Sequence, residues 1–142
     1  MTRPVAFWDS SALVPLCVNQ AFTPQSLSLE RKYKIAVWWS THVEIVSALA
    51  QLLRQHKLTA NDFAHAKNQA EHLANIWLTV APSAKIASQA RVHLESYSLR
   101  AADALQLAAA MEWCEGQPDG KIFLTFDARL REAARSVGFT LE

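Results

Sequence analysis

The sequence predicts an α/β fold in three layers, with helices on both faces of a central parallel sheet of four or five strands. Three short apolar runs support this class: Val5–Trp8, Ile35–Trp39 and Ile122–Phe126. Their residues do not alternate with polar ones, which is typical of parallel strands buried on both faces. Longer segments with apolar residues at helical spacing separate these runs, and such alternation of strands and helices indicates a parallel sheet.

Five helical patterns and two weaker strand candidates complete the predicted order of elements. A further helix is predicted to start near Ser10, and Gly138 is a predicted helix stop. The weaker strand candidates are Trp77–Val80 and Phe139–Leu141. The helical patterns cover Thr41–Gln55, Thr59–Ile76, Ala84–Glu95, Leu99–Glu115 and Ala128–Val137.

Length and composition exclude several classes of protein. With 142 residues, the chain is expected to be one domain over residues 1–142. A hydrophobic content of 51% with 19% charged residues excludes a disordered tail. The net charge of +1 provides no broad basic field, so contact with nucleic acid would have to be local.

The cysteines and the apolar segments indicate the compartment. Cys17 and Cys114 stand alone, so we expect free thiols in a reducing environment rather than a disulfide or a zinc site. No segment has the pattern of a signal peptide or a membrane span. We therefore expect a cytoplasmic protein that does not associate with membranes.

Three acidic residues follow the predicted strands. Asp9 and Asp127 come after the first and last apolar runs, and Glu44 comes five residues after Trp39, in the first turn of the next helix. Ligands of open α/β sheets bind beyond the carboxyl ends of the strands. These acids are therefore expected to converge if their strands are neighbours.

A fourth acid, Asp103, interrupts an apolar helix face. At about 100° per residue, Leu107, Ala110 and Cys114 share its face, whereas Glu112 lies on the other side. An ionised carboxylate in an apolar stripe is unfavourable without a charge partner or a metal ion. The position of Asp103 thus favours a functional role.

Each acid also has a purely structural interpretation. Asp9 and Asp127 are suited to cap the helices that follow them. Thr41 and Glu44 have the spacing of a capping box. Asp103 has a potential ion-pair partner in Arg100. Capping explains acids at helix starts, but it does not explain an acid on an apolar stripe.

Converging carboxylates favour a metal-dependent reaction. Carboxylates that lie close together repel one another unless some are protonated or a cation neutralises them. Oxygen ligands without histidines favour Mg²⁺ or Mn²⁺ over zinc. Such ions activate water and neutralise phosphate oxygens, which is the chemistry of phosphodiester hydrolysis.

The segments that carry these acids resemble one protein family. FWDSSALVPL, HVEIVSALA, LRAADALQLAAA and FLTFDARLREAARSVG resemble, nearly end to end and in order, the PIN-domain ribonucleases, above all the VapC toxins of bacterial toxin–antitoxin pairs. The resemblance implies a PIN-like α/β/α fold, homodimers, and an antitoxin whose basic segment enters the acidic pocket. It also implies metal ligation by four acids, of which one or two position the attacking water: Asp9, Glu44, Asp103 and Asp127.

The chain departs from these relatives at two places. Many relatives carry histidine where Gln106 stands, and Gln106 retains the ability to hydrogen-bond near the site. Trp38 and Trp39 are bulkier than expected at the end of the second strand, where they would alter the pocket wall.

Other side chains are candidates for supporting roles. Ser11 and Thr125 have hydroxyls that can orient a carboxylate or a metal-bound water, or else cap a helix and a strand end. Arg100 and Arg129 are placed to contact RNA phosphates. Two further arginines, Arg131 and Arg135, are expected on a solvated face. The tryptophans can stack on bases, although most are expected in the core: Trp8, Trp38, Trp39, Trp77 and Trp113.

The sequence thus predicts a Mg²⁺- or Mn²⁺-dependent endoribonuclease that acts as a toxin on RNA. The alternative is a non-catalytic PIN-like module that binds RNA or a protein, although the presence of all four acids argues against it. An aspartyl-phosphate enzyme is disfavoured, because Ser11 stands two residues after Asp9 where that chemistry usually needs an acid, and no lysine ends a strand.

Overall fold

The computed structural model describes residues 2–142 and has an α/β architecture. Its strands are β1 (Val5–Trp8), β2 (Lys34–Trp38), β3 (Leu78–Val80) and β4 (Phe123–Leu124). Its helices are α1 (Ser10–Cys17), α2 (Thr23–Lys32), α3 (Thr41–Arg54), α4 (Ala60–Ala74), α5 (Ala84–Ser96), α6 (Ala101–Trp113) and α7 (Ala128–Val137).

The four strands form one parallel sheet in the order β3-β2-β1-β4. Ala6 of β1 pairs with Ile35 of β2, and Phe7 of β1 pairs with Phe123 of β4. Strand β1 is therefore central, and its carboxyl end lies between those of β2 and β4. This order brings the residues that follow β1, β2 and β4 to the same edge of the sheet, as the sequence predicts.

Apolar side chains cover both faces of the sheet. On one face, Phe7 and Phe123 pack into a core with residues of α5, α6 and α7. On the other face, Trp8 and Val37 pack into a core with residues of α1, α3 and α4. The predicted three-layer arrangement is confirmed, and the absence of polar alternation in the strands is explained because both faces are buried.

The fourth strand is shorter than the predicted Ile122–Phe126. Trp8 pairs with Leu124, and the backbone N–H of Asp9 donates to the carbonyl of Leu124 at 2.9 Å. Since α1 begins at Ser10, the central strand offers β4 no partner beyond that point. The predicted fifth strand, Phe139–Leu141, is reduced to a single parallel bridge between Ile122 and Thr140.

The ends of the helices largely follow sequence signals. Gly138 ends α7 with φ of +117°, a conformation that favours glycine, and the predicted stop is confirmed. Helix α2 is not predicted, because polar residues interrupt its apolar pattern; its signal is the proline in its first turn. Both cysteines are free thiols. None of the helices within residues 2–142 has the length and apolarity that a bilayer crossing requires.

Candidate metal-dependent active site

Asp9 lies at the carboxyl end of the central strand and is almost fully buried. Its Oδ2 atom accepts hydrogen bonds from Ser11 Oγ at 2.6 Å, from Thr125 Oγ1 at 2.9 Å and from the Ser11 backbone N–H at 3.3 Å. The last bond makes Asp9 the N-cap of α1, as the structural interpretation expects. The carboxylate is therefore held by α1 on one side and by the segment after β4 on the other.

The two hydroxyls that hold Asp9 are themselves fixed by the backbone. Ser11 Oγ accepts from the N–H of Phe126 at 2.9 Å, and Thr125 Oγ1 accepts from the N–H of Asp127 at 3.1 Å. Because each hydroxyl accepts from a backbone N–H, its own proton is available to the Asp9 carboxylate. Ser11 and Thr125 thus contact the Asp9 carboxylate, and their bonds to the backbone after β4 also match the strand-end interpretation of these hydroxyls.

Glu44 approaches Asp9 from the first turns of α3. Its Oε1 accepts from Ser10 Oγ at 3.3 Å, its Oε2 accepts from Ser40 Oγ, and Gln106 Nε2 lies 3.2 Å and 3.3 Å from the two oxygens. The Ser10 hydroxyl is also 3.4 Å from Asp9 Oδ1, so it lies between the two carboxylates.

Thr41 and Glu44 do not form the capping box that the structural interpretation expects. The helix includes Thr41 as its first residue, which makes Ser40 the N-cap and shifts Glu44 one position beyond the one that a capping box requires. The Glu44 carboxylate therefore does not reach back to the backbone and instead binds side chains of α1, α6 and the β2–α3 turn.

The other two acids lie at helix starts on the same edge of the sheet. Asp103 is in the first turn of α6 and is half-buried, less than its position on an apolar face suggests. Asp127 is exposed, and its Oδ1 accepts from the N–H of Leu130 at 2.9 Å, which caps α7. Arg100 is the N-cap residue of α6 and forms no ion pair with Asp103.

Burial and neighbouring charges shift the pKa values of three of the four acids, Asp9, Glu44 and Asp103. Burial raises the pKa of Asp9, although the hydroxyl bonds from Ser11 and Thr125 oppose this effect. Burial, and then the charge of Asp9, raise the pKa of Glu44. Burial and, after it, the charges of Asp127, Asp9 and Glu44 together raise the pKa of Asp103 to about 6.

No basic side chain neutralises this cluster. The ion pairs found in residues 2–142 lie elsewhere: Lys32–Glu142, His42–Glu71 and Lys85–Glu112. The structure thus places Asp9, Glu44 and Asp127 where their charges act on Asp103, and none of the four acids has an ion-pair partner within residues 2–142. Such a cluster is stabilised by a bound cation.

The chemistry of these side chains fits a hard divalent cation, because carboxylate and hydroxyl oxygens are the preferred ligands of Mg²⁺ and Mn²⁺. Across residues 2–142, however, no three side chains of His, Cys, Asp or Glu stand close enough together to share one ion. The carboxylates accept from hydroxyl, amide and backbone donors instead. Ligation by three acids at once therefore requires side-chain movement.

The remaining candidates are placed differently from one another. Arg100 and Arg129 are exposed beside Asp103 and Asp127 in the sequence. Arg131 is not on a solvated face as expected: its Nη1 donates to the carbonyls of Thr125 at 3.3 Å and Glu142 at 3.0 Å, which fixes the chain just after β4.

The tryptophans divide between the core and the surface. Trp8 and Trp38 are core residues, as expected of most of them, whereas Trp39 is 61% exposed at the start of the β2–α3 turn.

Two serines of the site are missing from the sequence-based candidates. Ser40 precedes Glu44 by four residues, a spacing at which side chains of a helix start can meet, so a signal for it exists. Ser10 is adjacent to Asp9, but its contact with Glu44 spans 34 residues and has no local signal.

Comparisons with known proteins agree with the resemblance in the sequence. No protein-family model matches the chain. Two Mycobacterium tuberculosis proteins, Ribonuclease VapC45 and Ribonuclease VapC49, are each 28% identical to it over 139 residues, which covers 95% of this chain and 92% of theirs.

Solved structures share the fold. The FitAcB structure from Neisseria gonorrhoeae has a TM-score of 0.66 at 15% identity and covers 96% of this chain and 97% of its own. VapBC2 from Rickettsia felis, bound to a DNA fragment from its promoter, has a TM-score of 0.63 at 12% identity, with 97% of each chain covered. A toxin–antitoxin complex from Klebsiella pneumoniae has a TM-score of 0.62 at 18% identity and covers 87% of this chain and 88% of its own.

Proposed function

We propose that this chain, which is VapC-like in sequence and fold, is a metal-dependent endoribonuclease that acts as the toxin of a toxin–antitoxin pair. The observation that carries the proposal is the placement of four carboxylates from different elements along one sheet edge, where three of the charges raise the pKa of Asp103 and no ion pair in residues 2–142 involves any of the four. The names of its relatives in Mycobacterium tuberculosis support RNA as the substrate.

We assign the metal-binding role to Asp9, Glu44, Asp103 and Asp127, with Mg²⁺ or Mn²⁺ as the ion. When bound, the ion supplies a water of lowered pKa and neutralises charge on the scissile phosphate.

The hydrogen bonds suggest a division of labour among these acids. Asp9 and Glu44 are each held by several donors, so their carboxylates are preorganised to bind the ion. Asp103 is half-buried and Asp127 is exposed, which leaves them more open to solvent. We assign to these two the orientation of the attacking water as well as their share of the metal.

Side chains around the acids would support this chemistry. Ser11 and Thr125 keep the Asp9 carboxylate in place. Arg100 and Arg129 are exposed next to Asp103 and Asp127 in the sequence, where a guanidinium can contact the phosphates on either side of the scissile bond. Their charge is local, in agreement with the net charge of +1 for the whole chain.

The proposed partners follow from the relatives. Solved structures with this fold include toxin–antitoxin complexes, which supports a cognate antitoxin that binds and silences this chain. A basic antitoxin segment would satisfy the same acidic cluster that the metal ion would occupy. A homodimer and a cytoplasmic location also remain part of the proposal.

Cleavage of RNA by the purified protein tests the proposal. A panel of structured and single-stranded RNAs is incubated with Mg²⁺, with Mn²⁺ and with EDTA. We expect cleavage only in the presence of metal. Asp9→Asn is expected to reduce the cleavage rate by more than about a hundredfold, because it alters a metal ligand itself rather than a residue that hydrogen-bonds to one.

Asp119→Asn is the matched control, because it removes an exposed carboxylate from the loop between α6 and β4 and should cleave as the unaltered protein does. Full activity of Asp9→Asn, or activity unaffected by EDTA, would contradict the proposal. Tight RNA binding by folded protein without any cleavage would instead favour the non-catalytic module.

A further inference from the structure

Gln106 is a fully buried polar residue of α6, one helical turn after Asp103. Its Nε2 atom donates toward Thr41 Oγ1 at 3.3 Å and lies 3.2 Å and 3.3 Å from Oε1 and Oε2 of Glu44. Its carbonyl oxygen, Oε1, has no hydrogen-bond partner in the described part of the chain. Half of this amide thus contacts the acidic cluster, and the other half is unsatisfied.

The unsatisfied carbonyl reduces the stability that a glutamine contributes at this position. A buried carbonyl without a partner costs about 1–3 kcal/mol of folding free energy. The neighbouring residues of α6, among them Ala104 and Leu107, are apolar and fully buried, so an apolar side chain of similar volume would suit the environment better. The favourable feature of Gln106 is its N–H donor, and that donor is directed at Glu44.

The contact fixes the orientation of the Glu44 carboxylate. A nitrogen almost equally distant from both oxygens lies near the bisector of the carboxylate, so it restricts rotation of the group. Ser10 and Ser40 contact Oε1 and Oε2 individually, and each reaches Glu44 from an element other than α6. Residues that orient a metal ligand in this way contribute to metal affinity.

We infer that Gln106 is a positioning residue that holds Glu44 in the orientation required for metal binding. This inference rests on the proposed function, because it assigns Glu44 to the metal site. It extends that function to a side chain that touches neither the ion nor the RNA, and it attributes to Gln106 an effect on metal affinity rather than on the chemical step.

The test compares Mn²⁺ affinity among variants of the full chain, measured as the Mn²⁺ concentration at the midpoint of a calorimetric binding titration. Gln106→Met keeps the volume but removes the donor, and we expect its midpoint to rise about tenfold while its metal-free melting temperature stays equal or increases. Gln106→Asn shortens the side chain by one methylene, which moves the amide away from Glu44 and should raise the midpoint in the same way. This second variant provides the comparison if Gln106→Met does not fold.

A second readout separates affinity from catalysis. In RNA cleavage, Gln106→Met should need about tenfold more Mn²⁺ for half-maximal rate and should approach the unaltered rate at saturating Mn²⁺. Ser26→Ala is the control, because Ser26 is also fully buried and its hydroxyl donates to the carbonyl of Ala12 at 2.8 Å, away from the acids. Its metal-free melting temperature should fall, and its Mn²⁺ midpoint should not move.

Two failures are distinguishable. If the unaltered chain binds Mn²⁺ and the glutamine variants share its midpoint, the inference is overturned and the proposed function stands. If the unaltered chain binds no Mn²⁺ and cleaves no RNA, the metal site itself is refuted, and the role of Gln106 with it.

Discussion

Asp103→Asn is expected to stabilise the protein in the absence of metal, which is unusual for a change at a half-buried polar residue. Burial, together with the charges of Asp127, Asp9 and Glu44, raises the pKa of Asp103 from its ordinary 3.8 to about 6. The folded protein therefore holds this proton more tightly than the unfolded chain does. Asparagine keeps the size and one acceptor oxygen of the side chain but removes the charge.

The sign and the size of the effect follow from linkage. Between about pH 4 and pH 6 the folded state binds more protons at Asp103 than the unfolded state does, so stability falls as the pH rises through this window. Each pKa unit corresponds to about 1.4 kcal/mol, which makes about 3 kcal/mol the upper limit of the loss above that window. Because Asp103 is partly exposed to solvent, which screens its charge, we expect a gain of about 1–2 kcal/mol for Asp103→Asn at pH 7.5.

Urea denaturation in EDTA measures this gain. At pH 7.5 the midpoint of Asp103→Asn should lie at higher urea than that of the unaltered chain. At pH 5 the difference should fall to about half, because folded Asp103 is then largely protonated. The exposed carboxylate of Asp119 is the control, and Asp119→Asn should change stability by less than about 0.5 kcal/mol.

Either of two results would refute the reasoning. A loss of more than about 3 kcal/mol in Asp103→Asn at pH 7.5, the size expected when a buried ion pair is broken, would make Asp103 a structural residue. A gain that is the same at pH 5 and pH 7.5 would mean that removal of the charge is not its cause.

Three further outcomes are expected. Mn²⁺ at about a hundred times its dissociation constant should raise stability by about 2.7 kcal/mol and the melting temperature by roughly 6–10 °C; an unchanged melting temperature would contradict a metal site. Gly138→Ala should lower the free energy of unfolding by more than about 1 kcal/mol in urea denaturation, because φ is +117° and the new Cβ would lie 3.0 Å from a proline side chain. The Cβ of Gly116→Ala would meet nothing within 4 Å, so its loss of stability should be smaller. Arg131→Gln should lower the free energy of unfolding by about 1–2 kcal/mol in the same assay, because it removes hydrogen bonds to two backbone carbonyls. Arg135 is exposed, and Arg135→Gln should change stability by less than about 0.5 kcal/mol.

The positions of the strands are predictable from short apolar runs in the sequence. Val5–Trp8 is an apolar run in the sequence and a strand with the same bounds in the structure. The apolar run Ile122–Phe126 predicts a longer strand than the observed β4. The run continues beyond the point where the central strand β1 stops offering backbone hydrogen-bond partners. Strand length at a sheet edge depends on the partner strand, and that information is not local.

Helix α6, which carries Asp103, shows what the apolar periodicity of a sequence can predict about burial. Leu107, Ala110 and Cys114 are buried, as their shared face predicts, but Asp103 itself is only half-buried. The difference arises because Asp103 is in the first turn of α6, at the open edge of the sheet, and the other three lie deeper along the helix. Periodicity predicts the face of a residue, and its depth along the helix axis decides how much water reaches it.

The partners of the acids depend on the tertiary fold. Gln106 and Glu44 are separated by 62 residues, and Thr125 and Asp9 by 116, so their contacts exist only because the strand order brings the elements together. The acids themselves are found because they follow apolar runs or interrupt an apolar face. The donors that hold them are ordinary serines, threonines and glutamines, which carry no distinguishing pattern.

Capping and metal binding are compatible roles for the same carboxylate. Asp127 caps α7 through Oδ1, and Asp9 caps α1 through Oδ2, which also accepts both hydroxyl bonds. The other oxygen of Asp9, Oδ1, lies 3.4 Å from the Ser10 hydroxyl, a long contact that this hydroxyl shares with Glu44. A cap that uses one oxygen fixes the side chain and leaves the second oxygen for a cation. Capping by one oxygen of these acids is therefore compatible with the proposed binding of a metal ion by the other, because the cap holds the carboxylate in a fixed orientation.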